Sequence, residues 1–193
     1  MHQHFIIHKP DGYLSQFVIN ENHRKVKHKK LLGELYDFPS ETLSIGRLDE
    51  DSEGLLLLTT DGMVSELVRS KSVEKEYFAQ VDGIADLSAI HQLESGVEIG
   101  IHGKKYTTKP CKAKLLNKTP NIAPRQKKIR DDRHGPTSWI SITITEGKFR
   151  QVRKMTAAVG LPTLRLVRVR IGKIELGDLK AGEVIPVDQL KAM

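Results

Sequence analysis

The apolar residues of this chain fall mostly in short runs of period two, and the helical stretches between them come at irregular intervals. That order argues against a doubly wound parallel sheet and for an α+β fold. Trp139–Thr145 (WISITIT) alternates as a half-buried strand does, and Leu55–Thr60 is apolar enough to be covered on both faces. His4–Lys9, Leu43–Leu48, Glu74–Gly83 and the exposed, lysine-rich Lys104–Leu116 read as further strands. Thr163–Leu176 reads as a long strand or hairpin, with Val167, Val169 and Ile171 opposite Arg168 and Arg170. Asp61 can cap a helix through Met63, Leu67 and Val68. Asp86 caps a second, Leu87–Ser95, with Gly96 as its C′ residue. A third covers Phe149–Val159, where Val152, Met155 and Val159 face the core. Leu31–Tyr36 is one or two helical turns, Asn20–Lys30 a polar, basic loop or hairpin tip, and Asn117–Pro136 a long irregular loop, mobile without a ligand.

A chain of 193 residues with 38% hydrophobic residues can build a real core. Its single cysteine gives no disulfide framework and no multi-cysteine zinc site. No apolar run reaches the roughly 18–20 residues of a membrane span, and the N-terminus lacks a signal peptide's features. The expectation is a soluble protein of the cytoplasm. Charge is more informative. Lys plus Arg number 31 against 24 Asp plus Glu, a net of +7. The excess clusters: eleven Lys/Arg against two Asp over His102–Arg133, and eight against one Glu over Glu146–Lys173. A polyanionic partner fits that distribution.

Two constellations can carry chemistry. In Gly46–Gly54 (GRLDEDSEG), Asp49, Asp51 and Glu53 start like a calcium-binding EF-hand loop, but the twelfth position is Thr60 and the flanks are strands. The segment also reads as a solvated turn whose carboxylates cap backbone N–H groups. A third reading is a fixed catalytic carboxylate on a rigid base, and a glycosidase pair of Asp49 and Asp51 is a fourth, poorly matched to a basic protein. The second constellation is Glu146–Lys154 (EGKFRQVRK). It is either a solvated basic helix face or a phosphate site, with Lys148 and Arg150 at the helix N-terminus and Arg153 a turn further in. Tyr77 alone reads as strand packing. His2, His4 and His8 lack a carboxylate or cysteine to complete a metal site, and no motif for ATP, NAD, triad or zinc hydrolysis occurs.

Together these segments resemble the ribosomal RNA pseudouridine synthases of the RsuA/RluE type. The resemblance rests on GRLDEDSEGLLLLTTDG (Gly46–Gly62), KEYFAQVDG (Lys75–Gly83) and ITEGKFRQVRKMTAAVGLPTLRLVRVRIG (Ile144–Gly172). HKPDGYLSQF (His8–Phe17) and PTSWISI (Pro136–Ile142) add to it, so nearly the whole chain is covered in the family's order. PTSW and TLRLVR resemble the RluE branch, which acts on large-subunit (23S) ribosomal RNA.

The resemblance implies a bent, mixed, largely antiparallel sheet flanked by helices, with an active cleft across its middle. It implies one catalytic domain over residues 1–193, two lobes around one cleft, with no S4-like RNA-binding module before it. It implies no cofactor and no metal, and a stem-loop of 23S RNA as partner. The lack of a long apolar run argues against a membrane, and with no extended apolar helix face to spare the expectation is a monomer. Asp49 would be the catalytic carboxylate, Tyr77 the ring that stacks on the target base, and Arg153 the partner that keeps Asp49 anionic. Arg47 would fill the space left by an extruded base or hold a flanking phosphate, and Lys148 and Arg150 would hold phosphates. Three roles stay open for the carboxylate: addition to C1′, addition to C6, or removal of the 2′ proton. Two other functions compete: a non-catalytic ribosome-associated RNA-binding protein, and a carbohydrate hydrolase. Only the isomerase needs Asp49, Tyr77 and Arg153 together.

Overall fold

The leucine run becomes the central strand. In the computed structural model, which describes residues 2–18, 29–69, 73–125, 127–130 and 132–190, Glu53–Thr59 is a strand in which every residue is buried. In chain order the strands are β1 His4–Lys9, β2 Tyr13–Leu14, β3 Lys30–Leu31, β4 Leu43–Ile45, β5 Glu53–Thr59, β6 Lys75–Asp82 and β7 Glu98–Ile101. They continue with β8 Lys104–Thr107, β9 Lys112–Leu116, β10 Thr137–Ile144, β11 Thr163–Ile171, β12 Ile174–Glu175 and β13 Val184–Val187. The α-helices are α1 Gly62–Arg69, α2 Leu87–Ser95 and α3 Gln151–Ala158. Nine strands make one sheet in the order β13-β1-β5-β11-β6-β10-β9, with β4 on β5 and β12 on β11. Within it only β5 and β11 pair parallel. The fold is α+β, mixed and largely antiparallel.

Strand β5 is apolar throughout because it separates two cores. Leu56 and Leu58 pack with Phe5, Ile7, Leu32 and Leu48. Leu55 and Leu57 pack with Ile45, Val68, Val167 and Ile171. Each such leucine contributes about 1.5–3 kcal/mol by leaving water. A third core holds α2 and α3 against β6 and β10 through Ala79, Ile90, Leu93, Ile140, Val152 and Met155.

The cleft arises from a fork in this sheet. One edge of β5 is taken by β1 along residues 54–59. The other edge is shared: β11 pairs with Glu53 and Gly54, and β4 pairs with Leu57–Thr59. The two neighbours therefore part, and the segment 46–52 lies in the gap. Gly54 is required at the fork. Its φ is +105°, and a Cβ there would lie 2.3 Å from the Arg168 carbonyl oxygen.

Several expected elements shift. The strand expected over Leu43–Leu48 stops at Ile45, because Gly46 takes a positive φ and the chain leaves the sheet. Lys104–Leu116 is two strands, since Pro110 has no N–H for a ladder; β8 joins β7, and β9 joins β10. Gly96 ends α2 with φ +94° and ψ 142°, outside the left-handed helical cap. Its lack of a Cβ is needed for the approach of the Thr108 carbonyl, 2.3 Å from where that atom would stand. The segment Asn117–Pro136 is irregular apart from a 3₁₀ turn at Asp132–His134. Where described it is tied down rather than loose. Ile122 packs in the β5 core, Arg125 pairs with Asp11 and Glu53, and Arg130 pairs with Asp82. Most of the basic loop Asn20–Lys30 lies outside the described residues. Among the described residues no helix is long and apolar enough to cross a membrane.

Candidate active site

The turn that carries Asp49 is built by the chain's first residues. Ser15 Oγ donates to the Leu48 carbonyl at 2.8 Å and accepts from the Leu48 N–H at 2.9 Å. The Gly12 N–H donates to the Glu50 carbonyl at 2.8 Å. Lys9, fully buried at the end of β1, donates Nζ–H bonds to the carbonyls of Pro10, Tyr13 and Glu50. Burial lowers its pKa to about 8. Sequence reasoning assigns Lys9 and Ser15 no role. The available signal is a lysine closing an apolar strand just before Pro-Asp-Gly.

Asp49 projects from this turn with 24% of its side chain exposed. Among the described residues nothing donates a hydrogen bond to its carboxylate; the nearest cation is Arg150, with Nη1 3.7 Å from Oδ2. Burial raises its pKa above the ordinary 3.8, and the negative charge of Asp51 adds to that; Arg150, Arg153 and Lys9 oppose it. The expected direct pairing of Asp49 with Arg153 is corrected by the geometry, although the Arg153 charge still acts to keep Asp49 anionic. Arg153 makes no ion pair with Asp49 within 4 Å. Its Nη2 donates to the Asp51 carbonyl at 2.7 Å and to Ser52 Oγ at 3.3 Å, and lies 3.5 Å from Asp51 Oδ2. Arg153 thus holds the backbone of the turn.

The cause is where α3 begins. The helix starts at Gln151, two residues later than expected, and Arg150 precedes it in the left-handed conformation (φ 52°, ψ 35°). Gln151 secures that turn: its Oε1 accepts from the Lys148 N–H at 2.9 Å, and its Nε2 donates to Glu146 Oε1 at 2.6 Å. Arg150 swings off the helix and grips Asp51 with two bonds of 2.8 and 2.9 Å. That contact lowers the Asp51 pKa. Arg150 is therefore engaged by two aspartates instead of standing free for a phosphate. The calcium-like pattern is also dispersed, since Asp51 holds Arg150 while Glu53 turns inward to Arg165.

Asp49, Tyr77, Arg47, Lys148 and Arg150 all line one small hollow of about 90 Å³. Arg153 does not line it. Arg47, Tyr77, Gly147 and Lys148 are shared with an adjoining hollow of about 400 Å³. That outer hollow lies in the fork between β4 and β11, and among the described residues six cations line it: Arg47, Arg69, Lys75, Lys109, Lys148 and Arg168. The one carboxylate among those described residues, Glu146, already accepts from Tyr106 Oη, the Lys109 N–H and Gln151. Lys148 Nζ stands 5.0 Å from the centre of the Tyr106 ring. A small aromatic guest with an anionic tail suits this pair of hollows. Among the described residues no group of three or more His, Cys, Asp or Glu is placed to hold a metal ion.

Residues 3–158 match the family described as RNA pseudouridylate synthase. The chain belongs to that family. A synthase of this family isomerises uridine in RNA to pseudouridine, and a carboxylate that accepts no hydrogen bond among the described residues, beside an aromatic ring, is the kind of site such a reaction needs. The chain is similar to a protein of Xanthomonas campestris pv. campestris named ribosomal large subunit pseudouridine synthase E: 41% identity over 92% of this chain and 91% of that one. A protein of the same name from Vibrio parahaemolyticus is 40% identical over 92% of this chain and 71% of its own length. Among solved structures, one described as a pseudouridylate synthase superposes with a TM-score of 0.74 at 29% identity, covering 97% of this chain and 70% of the other.

Proposed function

We propose that this synthase acts on a uridine of large-subunit (23S) ribosomal RNA, with the everted nucleotide held between Asp49 and Tyr77. One observation carries the reading. A carboxylate without hydrogen-bond donors shares a small hollow with an aromatic ring, and that hollow opens into a cation-lined one. The names of the relatives favour large-subunit RNA as the substrate.

In the reaction the N1–C1′ bond breaks, the uracil turns while held, C5 bonds to C1′, the C5 proton passes to solvent and N1 takes up a proton. No co-reactant besides the solvent proton is needed, so the residues bind and orient the nucleotide, and one carboxylate supplies the nucleophile or base. Extruding the base from its stack costs a few kcal/mol; stacking on Tyr77 offsets about 1–3 kcal/mol of it. The Asp49 carboxylate faces the sugar or base; among the described residues it accepts no hydrogen bond, and its ion pair with Arg150 is a long one of 3.7 Å. Arg150 neutralises Asp51 and thereby keeps a second negative charge from raising Asp49 further. Arg153 holds the turn from behind, and Arg47 and Lys148 meet the flanking RNA. The chain works as a single catalytic unit, a monomer in the cytoplasm.

The test uses ribosomal RNA from cells lacking the modification, labelled with tritium at C5 of uridine. Large-subunit RNA is expected to release tritium and small-subunit RNA is not. Release from neither overturns the isomerase reading, and release from small-subunit RNA alone overturns the substrate assignment. The same assay reads the pH dependence. Activity falls as acid protonates Asp49, on a limb lying above the ordinary carboxylate pKa. Arg150→Gln removes the closest opposing positive charge and leaves Asp51 with Arg153 alone, 3.5 Å away, and both changes raise the Asp49 pKa. The limb in kcat/KM therefore moves to higher pH; an unmoved limb contradicts the assignment of Asp49 as the titrating group.

A further inference from the structure

Among the described residues, four arginines away from the cleft have a carboxylate within ion-pair distance. Arg165 has Glu53, Arg170 has Glu74 and Glu76, Arg125 has Asp11, and Arg130 has Asp82. Arg168, which lines the outer hollow, differs from its β11 neighbours Arg165 and Arg170. It is only 4% exposed, yet no carboxylate stands within 4 Å among the described residues. Its Nε donates to the Leu55 carbonyl at 2.8 Å, and its Nη2 is buried with no partner among the described residues. One strand over, Lys75 is half-buried, and its Nζ has neither a hydrogen bond nor an ion pair among the described residues. Register places Arg168 across from Tyr77, and Ile171 across from Lys75. Both cations line the outer hollow. A buried and a half-buried like charge without a counter-ion are costly to the fold. Burial and the charge of Arg168 both lower the Lys75 pKa, as expected where positive charge is in excess.

We propose that the outer hollow is a phosphate subsite in which Arg168 and Lys75 hold the RNA backbone phosphodiester beside the uridine that reaches Asp49. The proposal rests on the reading of the function above. Tyr77 joins the two hollows, because it lines both. A nucleotide whose base lies on that ring carries its own phosphate about one sugar away, at the mouth of the outer hollow. The guanidinium keeps N–H groups unengaged for an anion. Binding supplies the missing counter-charge, so this part of the fold is completed by substrate.

The experiment compares wild type with Lys75→Met and Arg168→Met in three readouts. The first is Tm in inorganic phosphate against chloride at equal ionic strength. The second is the salt dependence of binding to unmodified large-subunit RNA. The third is tritium release. Wild type is expected to gain Tm from phosphate, and each variant to lose that gain. Each variant should flatten the log–log salt slope by about 0.7–0.9 per lost contact. KM for RNA should rise about tenfold, with a smaller change in kcat. A purely structural lysine would lower Tm when removed, whereas Lys75→Met is expected to hold or raise it, since it deletes an unpaired charge. Arg168→Met deprives the Leu55 carbonyl of its donor; if that variant fails to fold, Lys75→Met carries the test. An unchanged salt slope and KM in Lys75→Met overturn the proposal, even if free phosphate still binds. If wild type releases no tritium the functional reading fails, and the phosphate-dependent Tm still tests the subsite by itself.

Discussion

Asp49→Asn is expected to lose tritium release by at least about 10³-fold while keeping its affinity for RNA. Asn keeps the shape of the side chain and removes the charge. The turn beneath it is unaffected, because Ser15, Gly12 and Lys9 hold main-chain atoms and the Asp49 carboxylate accepts no hydrogen bond among the described residues. The variant should also be more stable than wild type at neutral pH. The folded-state pKa of Asp49 is raised, so the neutral form favours folding. That contribution is complete below the unfolded value of 3.8 and is lost as pH rises through the folded pKa, leaving wild type with a deficit at pH 7. A higher Tm for Asp49→Asn at pH 7, with the gain vanishing in acid, is the expected signature. A variant that keeps its activity removes Asp49 from the chemistry.

Glu53→Ala is expected to have the largest effect on stability, although it lies four residues from Asp49. The Glu53 side chain is 2% exposed and that of Arg165 is 8% exposed. The two meet through bonds of 3.0 and 2.9 Å, and Arg125 Nε stands 3.5 Å from the same carboxylate. Removing the acid leaves Arg165 buried with only the Ala123 carbonyl to bond. Breaking such a pair costs about 3–5 kcal/mol, a large part of the roughly 5–15 kcal/mol that holds a domain folded. Tm should fall by about 10 °C or more. Glu98→Ala, which removes the exposed partner of Lys105, should cost under about 1 kcal/mol. Replacing both partners, Glu53→Leu with Arg165→Met, should recover most of the loss, because no charge is then stranded. Urea titration of the four proteins decides the matter: near-equal stability of Glu53→Ala and wild type contradicts the buried-pair account.

These two carboxylates also mark where the sequence was readable. Periodicity gave β1 and α2 their observed limits and read β5 as buried on both sides, because local alternation and capping determine such elements. The break at Pro110 was legible in principle, since proline cannot donate to a ladder. The left-handed Arg150 was not, because a non-glycine residue takes that conformation only when its surroundings hold it there. That one backbone turn decides which guanidinium reaches Asp49. The segments Asp49–Asp51 and Arg150–Arg153 lie about a hundred positions apart, and the motif names both without fixing which atoms meet. Glu53 and Asp51 look alike in the charged run; only the close approach of β5 to β11 buries the first and leaves the second at the cleft. The unpaired state of Arg168 was equally hidden, because the alternation in Thr163–Ile171 says which side a residue takes and nothing of who waits there.

The most direct measurement is the structure of Asp49→Asn bound to an RNA from which wild type releases tritium. The account predicts an everted uridine with its ring on Tyr77 and its ribose or C6 about 3–3.5 Å from the substituted side chain at position 49, near-attack distance for the missing carboxylate. A uridine still stacked in its helix, or everted into a site that touches neither position 49 nor Tyr77, would contradict it.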